Sequence, residues 1–226
     1  MKTIQIALDG PSGSGKSTMA RRVSRDLGYY YIDTGALYRA VGLFIRRRDI
    51  DPGDEPAVTA ALEACAVSFR FIDGVQHTFL GDEDVSDQIR TPEISEYASR
   101  ASALPCVRAL LLEVQRAFAR GNNIIMDGRD IGTTILPDAP IKIYLTASAE
   151  DRAMRRFGEL LKRGETVTFA AVLQEQRERD WRDEHRAISP LQQAEDAILV
   201  DTTGLSVEEG YQKLRGIIAA RLEELR

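Results

Sequence analysis

The stretch that most constrains this chain runs from Thr3 to Thr18. Ile4, Ile6, Ala7 and Leu8 make a short apolar, partly β-branched run, the pattern of a buried strand. Asp9 follows, and then Gly10-Pro11-Ser12-Gly13-Ser14-Gly15-Lys16-Ser17-Thr18, which matches G-x-x-x-x-G-K-[ST] in full. Beyond it Met19, Val23 and Leu27, with Arg21, Arg22 and Arg25 between them, predict an amphipathic helix. Strand, glycine loop and helix are the context this motif requires. Glycines let the main chain turn tightly and aim its N–H groups inward. Those groups form a nest for phosphate oxygens, reinforced by the orphan donors and partial charge of the helix start. Lys16 reaches the outer phosphates, and the Ser17 hydroxyl is placed for the Mg²⁺ that accompanies a nucleoside triphosphate. A Gly/Ser-rich turn that merely precedes a lysine would leave the flanking strand and helix unexplained.

The chain has 226 residues, 43% apolar and 29% charged, which is enough to bury a core. Its net charge of −5 offers no global basic field for nucleic acid, so an anionic ligand must be held by local clusters. Cys65 and Cys106 show no metal-ligand spacing; they suit a reducing cytosol and small core positions. His77 and His185 stand alone, so no zinc site is expected. No apolar run reaches membrane-spanning length, and Met1-Lys2-Thr3 leads straight into a strand rather than a signal peptide. A cytoplasmic protein without membrane contact is the expectation.

Tyr29–Ile32 reads as a second strand, ending at Asp33-Thr34-Gly35, and Ala36–Arg47 as a helix with Tyr38 and Arg39 in its first turns. A strand ending there is a candidate ligand edge, because open α/β sheets bind at the carboxyl ends of strands. Helix capping by Asp33 or Thr34 is the competing reading. Pro56–Cys65 looks helical. The period then changes: Val67–Phe71 alternates, Asp73-Gly74 is a turn, and Gln76–Leu80 is a second short strand, so a hairpin interrupts the βαβα rhythm. Thr91–Ala103 reads as a helix capped by Thr91, and Pro105–Arg120 as another. Asn123–Asp127 is a core strand whose terminal aspartate has the Walker-B arrangement, making Ser17 and Asp127 the candidate Mg²⁺ pair. Ile141–Leu145 and Ala197–Asp201 complete the strands. Helices are expected over Ala149–Arg163, Phe169–Arg182 and from Ser206, which has Glu209 at the capping-box position.

The helix after Ala149 carries Arg152, Arg155, Arg156, Lys162 and Arg163, and the next is dense in both signs of charge. Such a helix is ordinarily a solvated face supported by i,i+4 pairs. Yet Arg179, Asp183 and Arg186 stand at i, i+4 and i+7, the spacing of one helix face, and phosphoryl transfer needs cations around the phosphates.

Taken together, the glycine loop, Asp33-Thr34-Gly35-Ala36-Leu37-Tyr38-Arg39, Asp127-Gly128-Arg129-Asp130-Ile131-Gly132-Thr133 and Arg179-Asp180 through Arg186-Ala187-Ile188-Ser189-Pro190 resemble the bacterial cytidylate kinase family. Ile89-Arg90-Thr91 and Pro105 with Val107-Arg108 fit as well, and the likeness spans essentially the whole chain in order and spacing. The resemblance implies an α/β fold: a P-loop NTPase core with a five-stranded parallel sheet and helices on both faces, an inserted monophosphate-binding region with a small antiparallel sheet, and a lid. It divides the chain into a core (1–38, 105–150 and 187–226), a monophosphate-binding region (39–104), and a lid with its following helix (151–186). It implies ATP and CMP or dCMP as substrates, Mg²⁺ with the ATP, and a monomer. Thr34, Arg39, Arg129 and Arg186 would face the acceptor phosphate. Ser99, Arg108 and Asp130 would read the base, Arg179 and Asp183 would lie near the sugar, and Arg155 and Arg156 would be the foremost lid cations. Lys16, Arg129 and Arg186 would be the catalytic charges. One departure is Thr34, where many members of the family have serine; the hydroxyl is kept.

The chemistry is compatible: a carboxylate accepts from the cytosine amine, and arginine pairs strongly with phosphate. Three rival readings remain at this point. One is a kinase for another acceptor, separable by an acceptor panel. A regulatory GTPase would use Asp201-Thr202-Thr203-Gly204 as its D-x-x-G, but only 22 residues follow it and no N-K-x-D occurs. A nucleotide-sensing or nucleic-acid-binding module is disfavoured by the acidic charge balance and by the lack of an aromatic-basic stripe.

Overall fold

A computed structural model describes residues 3–226; Met1 and Lys2, read above as leading into the first strand, lie outside the described residues. Five parallel strands form the central sheet: β1 (Gln5–Asp9), β2 (Tyr30–Asp33), β6 (Ile124–Gly128), β7 (Ile141–Thr146) and β8 (Ile198–Asp201). Their order is β2-β6-β1-β7-β8, so the strand that precedes the glycine loop is the middle one. Side chains alternate between two cores, as the period of two demands. Ile6, Leu8, Ile125 and Ile143 pack with α1 (Lys16–Leu27) and α8 (Val207–Glu224) on one face. Ala7, Ile124 and Met126 turn to the other face, beside α5 (Pro105–Ala119). Both faces being covered explains the near-continuous apolar runs.

The register brings the strand ends level. Asp9 lies opposite Gly128 and Tyr144, and Asp33 lies opposite Asp127. Three aspartates thus finish at one edge of the sheet, and the loops leaving that edge build the cleft.

The hairpin forms as expected, from β3 (Val67–Ile72) and β4 (Val75–Leu80). Asp73 and Gly74 both have positive φ (50° and 75°), the signature of a tight two-residue hairpin turn. A third strand, β5 (Glu83–Asp84), joins it; two acidic residues carry no alternation by which a sequence could reveal them. The insertion covers the edge of β2. Tyr30 packs on Phe71 with ring centroids 4.6 Å apart, and Phe118 closes the cluster. The Gln76 amide extends the covering by polar contact: its oxygen accepts from Asp33 N–H (2.8 Å), and its nitrogen donates to Asp33 O (3.2 Å). A bare parallel edge would otherwise expose unpaired main chain.

Helix α2 (Thr34–Arg46) begins two residues earlier than its periodicity implies, because the Asp33 carboxylate caps it by accepting from Ala36 N–H at 3.0 Å. It crosses α4 (Pro92–Ala101) at Gly42, where a Cβ would stand 3.0 Å from Ala98 N and 3.2 Å from Ile94 O, so a side chain there would press α4 outward. A short helix, α3 (Glu55–Leu62), lies between α2 and the hairpin. On the far side, α6 (Ala149–Lys162) and α7 (Phe169–His185) pair around Ala153, Leu160 and Val172. Helix α7 runs three residues beyond Arg182, and its C-cap is Arg186, with extended backbone (φ −64°, ψ 142°). Arg186 therefore leaves the helical face that it was expected to share with Arg179 and Asp183. Cys65 is buried and Cys106 half-buried, both unpaired. Among the described residues no helix is long and apolar enough to cross a membrane.

Candidate active site

The glycine loop takes up the shape its residues allow. Gly10, Gly13 and Gly15 have φ of 145°, 75° and 91°. At Gly10 a Cβ would stand 2.0 Å from the Leu145 carbonyl oxygen, so any side chain is excluded there. Lys16 is the first residue of α1, and its ammonium is buried under the loop, donating to Gly10 O and Pro11 O at 2.7 Å each. Burial pushes its pKa down to about 7 and the nearby Arg129 adds to this, while Asp127 and Asp9 pull it back. Ser14 is wholly buried, its hydroxyl donating to Pro11 O. Ser12, Gly13 and Gly15 to Thr18 line the cleft, whereas Gly10, Pro11 and Ser14 form the body of the loop behind it.

The back of the loop is braced by α6 and α7. Arg152 and Gln176 both donate to Ser12 O at 3.1 Å, and Arg152 pairs with Asp180 at 2.7 Å. Arg155, expected as a lid cation, donates to the main-chain carbonyls of Ser14 (3.2 Å) and Thr202 (3.0 Å). Arg156 pairs with Glu159 one turn along its own helix (3.3 Å). Both arginines line the cleft. Helical spacing could not single out Arg152 or Gln176, because their partners lie on other elements.

At the carboxyl edge of the sheet, Ser17 Oγ donates to Asp127 Oδ2 at 2.7 Å, so the two residues named as a pair are adjacent. The other carboxylate oxygen accepts from the Tyr31 hydroxyl at 3.1 Å. Burial lifts Asp127 to about 6, with Asp33 adding to the shift and Lys16 opposing it. Thr34 Oγ1 donates to Asp127 O at 2.7 Å, and Arg39 pairs with Asp33 at 2.9 Å. The capping reading of Asp33 holds, and Asp33, Thr34, Gly35 and Arg39 also line the cleft.

Asp130, 3% exposed, is held between Arg108 of α5 and Arg186, the latter at 3.2 Å. Arg186 reaches it because the chain turns away after α7, and its Nε is fixed on Ser189 O at 2.7 Å. Arg129 pairs with Asp183 of α7 at 2.8 Å. Burial alone would lift the Asp183 carboxyl, but Arg129 and Arg179 hold it below its ordinary value. Burial pushes Arg179 down to about 10, with Arg129 adding to it. Ser99 Oγ and Arg179 Nε are buried without a protein partner, on residues that line the cleft. Buried polar groups of this kind need a partner, which water or a ligand can supply.

One cleft of about 470 Å³ joins all of these parts, with the main-chain cradle, the Ser17–Asp127 pair, the arginines and the Asp130 triad on its walls. Among the lining residues to which the sequence gives no role are Arg21, Tyr38, Arg90 and Ser102. Arg21 looked like the solvated face of α1, yet its guanidinium carbon lies 5.1 Å from the centre of the Tyr31 ring. Arg90 sits beside Asp33, and with Arg39 it holds that carboxyl below its ordinary value against the opposing effect of burial. Asp9 was also unassigned. Burial lifts it to about 6, partly offset by hydrogen bonds from the main chain of Gly132 and Ile131. Among the described residues no cluster of three or more His, Cys, Asp or Glu could hold a metal by itself.

Comparison with known proteins gives a consistent picture. The family described as cytidylate kinase matches residues 6–219. A cytidylate kinase from Caldicellulosiruptor bescii is 48% identical over 214 residues, covering 95% of each chain. One from Carboxydothermus hydrogenoformans is 46% identical over 222 residues, covering 98% of this chain and all of that one. A crystal structure of an uncharacterized protein from Eubacterium ventriosum aligns with a TM-score of 0.50 at 12% identity, over 96% of this chain and 99% of that one; this is a likeness of fold alone.

Proposed function

The chain belongs to the cytidylate kinase family, and from that premise we propose how its cleft divides the work of moving a phosphoryl group from ATP to a cytidine nucleotide. The protein is an ATP-dependent kinase that converts CMP or dCMP to the diphosphate. The glycine loop, Gly10 to Thr18, cradles the ATP phosphates. Thr34, Arg39, Arg129 and Arg186 take the acceptor phosphate. Ser99, Arg108 and Asp130 read cytosine, and Arg179 and Asp183 lie by the sugar. The observation that carries this reading is the placement of Asp130: a carboxylate fixed between two guanidiniums, on the same cleft as the loop. A carboxylate accepts from the exocyclic amine of cytosine, whereas uracil offers a carbonyl at that position and would face repulsion.

Transfer is in line. An acceptor phosphate oxygen is already a nucleophile, so no dedicated base is needed. Lys16, Arg129 and Arg186 stabilise charge spread over the moving group, and fixed cations cost no reorganisation during the step. Ser17 and Asp127 would hold Mg²⁺. A hydroxyl and a carboxylate 2.7 Å apart are hard oxygen donors, and a cation held by one or two such groups plus phosphates and water suits Mg²⁺. When bound with ATP, Mg²⁺ neutralises charge on the β- and γ-phosphates. We assign residues 39–104 to the acceptor side and 151–186 to a lid that excludes water as Arg155 and Arg156 close on the phosphates. We place the protein in the cytoplasm, as a monomer.

ADP release with ATP against CMP, dCMP, UMP, AMP and GMP tests the reading, with CMP and dCMP expected to be the best acceptors. Asp130→Asn should raise KM for CMP about 10- to 100-fold, the worth of one charged hydrogen bond, and move KM for ATP by less than about threefold. Equal losses for both substrates would overturn the base-reading role.

A further inference from the structure

The first donors of a helical turn need partners, and the residue at the N-cap position ordinarily supplies one. The π-helical turn Ile131–Ile135 begins immediately after Asp130, yet Asp130 makes no capping bond to it; its carboxylate goes to Arg108 and Arg186 instead. The cap comes from another strand. Asp9, at the end of β1 and 5% exposed, accepts from Ile131 N–H with Oδ1 (2.8 Å) and from Gly132 N–H with Oδ2 (2.7 Å). Aspartate at an N-cap is a strong local preference because its side chain readily bonds the main chain just ahead of it. Asp130 escapes that pull only while another acceptor occupies the same two donors.

We propose that Asp9 is a positioning residue: it caps the 131–135 turn in place of Asp130, keeping the Asp130 carboxylate out of that cap and between Arg108 and Arg186 on the base side, and Arg129 in register with the phosphate loop. The geometry on both sides supports this. Gly128 is fixed in the sheet opposite Asp9, and Ile131 is fixed on the Asp9 side chain, so Arg129 and Asp130 are a two-residue span tied at both ends. Gly10 follows Asp9 directly, so one residue joins the root of the donor loop to the acceptor-side pair. Both carboxylate oxygens are used as acceptors. Asparagine has the same shape, but it can accept on one side only and would turn an N–H₂ toward an N–H on the other. The inference rests on the base-reading role proposed for Asp130.

The test is Asp9→Asn beside Asp130→Asn, with dissociation constants for CMP, UMP and ADP measured by calorimetry and kinetics for CMP. Misplacing reacting groups by about 1 Å can cost up to about 100-fold. Asp9→Asn should therefore weaken CMP about tenfold, narrow the preference for CMP over UMP, and leave ADP within about twofold. A role in stability alone would lower the melting temperature and leave the CMP-to-UMP ratio unmoved; that result, in a folded variant, overturns the proposal. If Asp130→Asn weakens CMP and Asp9→Asn does not, this inference falls alone. If neither does, the base-site reading falls with it. Should Asp9→Asn not fold, amide exchange in the parent enzyme decides. Slow exchange at Ile131 and Gly132, slower still with CMP bound, supports the cap, and fast exchange at both refutes it.

Discussion

Replacing Asp130 by alanine should destabilise the ligand-free protein far more than its position on a cleft wall suggests. Its side chain is 4% exposed, and those of Arg108 and Arg186 are 10% and 6% exposed, so the three form a buried charge cluster. Removing one partner from a buried ion pair costs about 3–5 kcal/mol, because the remaining charge is left desolvated and unpaired. A domain of this size loses roughly 2–4 °C of melting temperature per kcal/mol. The variant should therefore melt about 6–20 °C below the parent in thermal unfolding followed by circular dichroism. Nucleotide is left out because ligands shift the midpoint by mass action. The pair Arg182–Glu96 is the control: its side chains are 33% and 47% exposed, and such pairs contribute at most about 1 kcal/mol. Glu96→Gln should thus stay within about 4 °C. Combining Arg108→Met with Asp130→Ala should recover part of the loss by removing one of the stranded charges, a coupling of about 0.5–3 kcal/mol. An Asp130→Ala protein melting within about 2 °C of the parent would refute the argument from burial.

Three further outcomes follow from the loop and the sheet edge. Lys16→Ala should reduce CDP formation about 100- to 1,000-fold, the usual worth of one preorganised charge, in a protein that still folds; near-normal turnover would sink the assignment. Burial lifts Asp127 to about 6, above its ordinary 3.8, so the cost of its buried charge is present in full well above pH 6 and is relieved as pH falls through 6 toward 3.8. The stability of Asp127→Asn relative to the parent, measured in urea, should therefore be greatest at pH 8 and decline by about 2 kcal/mol at pH 4.5; a difference independent of pH contradicts this. Gly10→Ala should weaken ADP more than about tenfold, because its Cβ meets the Leu145 carbonyl oxygen. Gly204→Ala, at φ 71° in open space, should cost only about 1 kcal/mol and leave ADP affinity unchanged.

Local chemistry alone determined a good deal here. The strand, glycine loop and helix at the start, the Asp73-Gly74 hairpin and the Ser206–Glu209 capping box each depend on residues within a few positions of one another, so their spacing is their signature. Candidate site residues were legible where a motif marked them, as at Lys16, Ser17 and Asp127, or where the family resemblance did. Tertiary structure decided the partners. Asp130 meets Arg108 across 22 positions, Arg129 meets Asp183 across 54, and Asp9 reaches Ile131 across 122. The chain's periodicity gave no sign that Arg186 would leave its helix to reach Asp130, or that Arg155 would bind the loop carbonyls. Periodicity reports which face of an element is apolar; which charges meet is settled by strand order and helix packing, and those exist only once distant segments are buried against each other.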